Sequence, residues 1–172
     1  MVEFTKLEQN SAQTIANWYF PDDYQWTTLG KHSENEYYLL NEDLRNNNYY
    51  QITGDGQLKG YFSINNEIRQ EYGALQLVLK PEFCNERFEM EVINDITDFI
   101  RQIRNCNYVN VMAYSTQPHA IKVYEKCGFE NKGELSGQGH EMAAYEQEGF
   151  DVDESGKKIE EIKLTVLSKK IR

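Results

Sequence analysis

The sequence predicts an α/β domain with a mixed sheet and helices on both faces. Three observations carry that expectation. The stretch from Leu75 to Phe129 runs strand, loop, helix, strand, helix, the order of a crossover unit. Inside it, Phe88, Val92, Ile96, Phe99, Ile100 and Ile103 recur at helical spacing, with Glu89, Glu91, Asn94, Asp95, Asp98 and Arg101 on the other face. Upstream, Tyr49 to Thr53 and Leu58 to Asn65 flank Gly54-Asp55-Gly56, a turn tolerant of positive φ and hence a hairpin.

Taken in order, Val2 to Leu7 alternates and reads as a first strand. Asn10-Ser11 caps a helix expected from Ala12 to about Tyr19, with Ile15, Trp18 and Tyr19 on one face, and Pro21-Asp22-Asp23 ends it. The aromatic segment from Tyr24 to Lys31 is either the wall of an acceptor pocket, with Tyr24 and Trp26 as substrate contacts, or a loop pinned to the core. A second helix is expected from Ser33 to about Asn46. Tyr72 to Leu79 is a central, largely buried strand, because Leu75, Leu77, Val78 and Leu79 form a near-continuous apolar run. Pro81 ends it, and Pro81 to Arg87 reads as a loop before the amphipathic helix. Tyr108 to Tyr114 is the next strand. Pro118 fits a helix first turn and Gly128 a left-handed cap, so a helix lies between them. A strand from Phe129 to about Leu135 follows. Glu141 to Glu148 is a short strand or a disordered connection, and 159–169 is the last strand.

Composition narrows the function classes. A chain of 172 residues is expected to form a single domain over 1–172 with its own core. With 18 Lys and Arg against 28 Asp and Glu, the formal charge is -10. Such a surface repels nucleic-acid phosphates and tolerates a cationic partner. The three cysteines, Cys84, Cys106 and Cys127, have no CxxC spacing, so neither a disulfide framework nor a metal site is expected. The N-terminal residues lack the basic and apolar regions of a secretory signal, and no apolar run approaches a membrane span of about 18 residues. A cytoplasmic protein without membrane contact is expected.

Two stretches resemble the GNAT superfamily of N-acetyltransferases. Leu77-Val78-Leu79-Lys80-Pro81-Glu82-Phe83 is similar to the family's fourth strand entering its pyrophosphate loop. Ala120-Ile121-Lys122-Val123-Tyr124-Glu125-Lys126-Cys127-Gly128-Phe129 is similar to its A-I-x-x-Y-E-K-x-G-F signature. The resemblance implies a mixed, mostly antiparallel twisted sheet. It also implies direct acetyl transfer from acetyl-CoA to the amine of a small molecule or peptide, without a metal. Leu77, Val78 and Leu79 would pair with the pantetheine arm as an added strand. Cys84, Asn85, Glu86, Arg87, Phe88 and Glu89 would hold the pyrophosphate at a helix N-terminus. Gln117 stands where the family has an asparagine that serves the cofactor. Tyr124 matches the tyrosine that protonates the departing thiolate. His119 reads as solvated. His32, Glu67, Glu71 and Tyr72 are candidates for a base, with no choice among them. A homodimer stays open.

The loop departs from the family pattern R/Q-x-x-G-x-G/A. Cys84 replaces its first residue, and Arg87 and Glu89 replace its glycines. Side chains there obstruct close backbone approach, and Glu82, Glu86 and Glu89 bring like charge towards a pyrophosphate. The alternative is therefore a GNAT-fold protein with lost or weakened CoA binding that acts as a binding or regulatory module. A further idea makes Cys84 a nucleophile, its thiol acidified by the helix N-terminus.

Overall fold

Strand β4 (Tyr72–Leu79) buries Gly73, Leu75, Leu77, Val78 and Leu79, and the sheet is built outward from it. The structure, a computed structural model, describes residues 1–26, 39–45, 47–66, 71–136 and 163–172. The other strands are β1 (Glu3–Lys6), β2 (Tyr49–Gly54), β3 (Gln57–Asn66), β5 (Tyr108–Tyr114), β6 (Glu130–Ser136) and β7 (Lys163–Lys170). They form one seven-stranded sheet in the order β1-β2-β3-β4-β5-β7-β6. Every neighbouring pair is antiparallel except β4 and β5.

Alternation along the strands sends side chains to two layers. Leu75, Leu77, Leu79, Val109 and Val111 meet helices α2 (Glu86–Ile103) and α3 (Pro118–Lys126) on one face. Tyr49, Tyr61 and Val78 meet Ala12 and Ile15 of α1 (Gln9–Ala16) on the other. Helices on both faces of a mixed, mostly antiparallel sheet are the predicted architecture, and the fold is GNAT-like.

Several element boundaries differ from the sequence reading. Helix α1 starts at Gln9 and stops at Asn17, whose backbone N–H bonds Thr14 O. Tyr19 therefore lies beyond the helix and is 82% exposed instead of sharing the face of Ile15. Only Leu39–Leu40 and a short 3₁₀ turn at Glu42–Leu44 represent the second predicted helix among the described residues. The expected loop from Pro81 to Arg87 is shorter. Pro81–Phe83 makes a 3₁₀ turn, and α2 begins at Glu86 because the Asn85 side chain accepts the Phe88 N–H at 3.0 Å. Helix α3 starts at Pro118 as expected. Gly128, at φ 91°, takes the left-handed position past its end, where the Phe129 N–H bonds Tyr124 O at 3.1 Å. The strand and connection assignments over Glu141 to Glu148 and 159–162 lie outside the described residues.

Candidate functional site

Parallel pairing of β4 with β5 covers only Tyr72–Ala74 against Tyr108–Asn110. Beyond Ala74 the two strands part. The Lys80 N–H bonds Lys59 O at 2.8 Å, so Val78 and Gln76 also pair with β3. The N–H and C=O of Leu75, Leu77 and Leu79 then point across the gap. The resemblance assigns the edge at Leu77, Val78 and Leu79 to an extended ligand; Val78 instead turns its backbone groups to β3.

A narrow cleft lies at the gap, lined by Leu75, Leu77, Ala113 and Tyr124 together with Gln76, Val78, Met112, Gln25, Trp26 and Gln117. Leu75 and Leu77 belong to the face of α2 and α3. Gln76 and Met112 alternate with residues of that face and so point to the other side. Residues of both faces of the sheet therefore line the cleft.

Tyr124 is 5% exposed and packs edge-on against Trp26 and Phe129, at 5.4 Å and 5.2 Å between centroids. It is a core aromatic and a cleft-lining residue at once. Burial first, then the charge of the Cys127 thiolate, pushes its phenol well above the usual range. The hydroxyl is consequently held in its protonated, donating form.

The two predicted substrate residues are both in contact with the cleft walls. Tyr24 packs at a tilt against Phe20, and its hydroxyl accepts the Leu79 N–H at 2.7 Å and donates to Leu79 O at 2.6 Å. Trp26 is 3% exposed and donates its indole N–H to Glu89 Oε2 at 2.7 Å. Gln117 is buried and bridges the cleft: its Oε1 accepts the Tyr114 N–H and its Nε2 donates to Tyr24 O, both at 3.2 Å. The Gln25 Oε1 is buried in the cleft wall with no hydrogen-bond partner among the described residues.

Glu89 lies on the inner face of α2 with Ile93, Ile96 and Ile100, not on the polar face assigned from sequence. Its carboxylate is 1% exposed and bound by Trp26 and by His119 Nε2, the latter at 2.7 Å. His119 is exposed, as expected, and is anchored by this contact. The signal was present in the spacing: Ile93, Ile96 and Ile100 place Glu89 on their own stripe. The other two carboxylates feared near the phosphates are also paired, Glu86 with Lys126 and Glu82 with Lys80. Lys126 holds the Glu86 carboxyl below its ordinary range. Arg87 and Phe88 sit in the first turn of α2, one exposed and one half-buried.

Cys84 does not have an acidified thiol. Burial, then the Glu89 charge, pushes it up to about 12, which outweighs the helix N-terminus. The Cys106 and Cys127 thiols are also raised by burial. At about pH 8 the folded protein is expected to react only slowly with a disulfide reagent, because little thiolate is present. All 3 thiols should titrate rapidly after unfolding. A fast native reaction mapped to Cys84 would overturn this and restore the nucleophile idea.

Of the candidate bases, His32 and Glu67 lie outside the described residues. Glu71 offers its backbone O to the N–H groups of Asn107 and Tyr108, and Tyr72 stacks on Tyr108. Among the described residues, no three His, Cys, Asp or Glu side chains gather as a metal site, and no helix is long and apolar enough to cross a membrane.

A parted β4–β5 pair with helices packed on both faces defines the GNAT-like α/β architecture. Known structures share it across nearly the whole chain. A chimera of the spermidine N-acetyltransferase SpeG from Vibrio cholerae with hSSAT superposes with a TM-score of 0.71 at 16% identity, covering 99% of this chain and 95% of that one. Spermidine N-acetyltransferase from Vibrio cholerae in complex with CoA and spermine gives 0.66 at 17% identity, covering 97% and 94%. The spermidine/spermine N-acetyltransferase SpeG from the same organism in complex with manganese ions gives 0.68 at 18% identity, covering 99% and 92%. No protein-family model and no curated protein sequence matches the chain.

Proposed function

We propose that the chain is an acetyl-CoA-dependent N-acetyltransferase that acylates the amine of a small molecule, with polyamines as the first candidates. The observation that carries this reading is the cleft between β4 and β5, with the Tyr124 ring in its wall. The acidic chain, of formal charge -10, suits a polycationic acceptor. The structural neighbours named above act on spermidine by their names.

The residues present fit the donor. The free edge at Leu75 and Leu77 offers backbone groups to an extended arm. The N–H groups of Glu86 and Arg87, in the unsatisfied first turn of α2, suit phosphate oxygens. Bound acetyl-CoA supplies the acetyl thioester. An amine attacks its carbonyl carbon, forming the C–N bond as the C–S bond breaks. Tyr124 then gives its phenolic proton to the departing sulfur, and the proton shed by the acylated amine restores the phenol, leaving an amide and the CoA thiol.

A second reading, a GNAT fold with weakened CoA binding, is favoured by Tyr24 on the Leu79 edge. A thermal-shift titration with acetyl-CoA separates the two. Ligand at ~100 times its dissociation constant adds about 2.7 kcal/mol, a rise of about 5 to 10 °C for a chain of this size. That rise, followed by amine-dependent release of free CoA thiol in a polyamine screen, is the expected result. No shift at millimolar acetyl-CoA would favour the second reading.

A further inference from the structure

Tyr24 and Leu79 lie 55 residues apart in sequence, yet one hydroxyl satisfies both backbone groups of Leu79 that face the cleft. A neighbouring strand residue would make the same pair of bonds: one accepted from the N–H and one donated to the C=O. The Tyr24 side chain thus stands in for the added strand at the outer end of the β4 edge. Its backbone is held as well, because Gln117 Nε2 donates to Tyr24 O from the far wall of the cleft. Two residues on, Trp26 is fixed by Glu89 and packs against Tyr124. The segment from Tyr24 to Trp26 is therefore strapped to β4, to α2 and to the start of α3.

The short segment occupies groups that an extended arm needs. Leu75 and Leu77 have no strand opposite them among the described residues, whereas Leu79 is already satisfied. Burial keeps the Tyr24 phenol protonated, so it continues to donate to Leu79 O throughout the neutral range.

We propose that Tyr24 is an internal competitor for the pantetheine arm: its hydroxyl must leave the Leu79 edge before the arm can pair along the whole of β4. This rests on the acetyl-CoA reading of the cleft and adds a control built into it. Donor binding is coupled to release of the Tyr24–Trp26 segment. Gln25 and Trp26 of that segment also line the cleft, so donor entry reshapes the cleft wall.

Tyr24→Phe tests the proposal, because it keeps the ring that packs against Phe20 and removes only the competing hydroxyl. Calorimetric titration with acetyl-CoA is expected to show about tenfold tighter binding to the variant than to the parent, the scale of hydrogen bonds that no longer have to be broken. Hydrogen exchange at the Leu79 amide, measured without ligand, gives an independent readout and should be faster in the variant. Equal and measurable affinities would overturn the competitor role while leaving the acetyl-CoA reading in place. Weaker binding to the variant would do the same, by making the hydroxyl a ligand contact. Binding to neither protein would remove the acetyl-CoA reading and the competitor with it. Unchanged Leu79 exchange would overturn the proposal whatever the affinities.

Discussion

Tyr124→Phe is expected to lower the turnover number about a hundredfold while leaving acetyl-CoA affinity within about twofold. The asymmetry follows from where the hydroxyl acts. The ring supplies packing against Trp26 and Phe129, and phenylalanine retains it. The hydroxyl supplies a proton only as the carbon–sulfur bond breaks, so its removal is felt in the transition state and not in the ground state. The pH profile adds a second check. Burial raises the phenol above its ordinary 10.0, so the acid form persists as pH rises. The parent should then show no alkaline loss of turnover from this group below about pH 10. Equal turnover of variant and parent, measured by CoA thiol release, would remove Tyr124 from the reaction.

The largest effect on stability is expected at Gly60→Ala. Gly60 pairs with Leu79 of β4 and Ile52 of β2. A Cβ there would lie 2.3 Å from Val78 O and 3.1 Å from Leu79 Cα. Both are backbone atoms of the central strand, so no side chain can swing aside, and β3 must move away from β4. Overpacking of this kind costs about 3 kcal/mol, or about 6 to 12 °C in melting temperature for a chain of this length. The strain falls on the residue whose outer edge forms the cleft. A melting temperature within about 2 °C of the parent would show that the sheet absorbs the methyl group without strain.

Local signals made much of the fold legible in the sequence. The apolar run of β4, the helical period of α2 and the Pro118-to-Gly128 frame of α3 depend on residues within a few positions of one another. Propensity and capping act at that range. Tyr124 was placed by the same kind of signal. The cleft walls were not legible, because they are made by pairs far apart in the chain. Tyr24 with Leu79, Trp26 with Glu89 and Gln117 with Tyr24 leave no periodic trace. Glu89 was misassigned for a different reason. Its charge and its alignment to a family glycine put it on the polar face of the helix, towards phosphates, whereas the helix that the Asn85 cap starts at Glu86 turns Glu89 inward. A carboxylate on an otherwise apolar stripe was the available clue, and burial of such a group requires the partners that Trp26 and His119 provide.

Strand β7 lies between β5 and β6, although it follows both in the chain. During synthesis β5 and β6 therefore leave the ribosome before the strand that joins them exists. Until residues 163–170 emerge, β6 has no place in the sheet and β5 lacks its antiparallel neighbour. Both then expose unpaired backbone. Nascent chains at that stage carry open strand edges of the kind that chaperones hold and that aggregate when left alone. Completion of this side of the sheet is thus timed by β7, the strand that both β5 and β6 require.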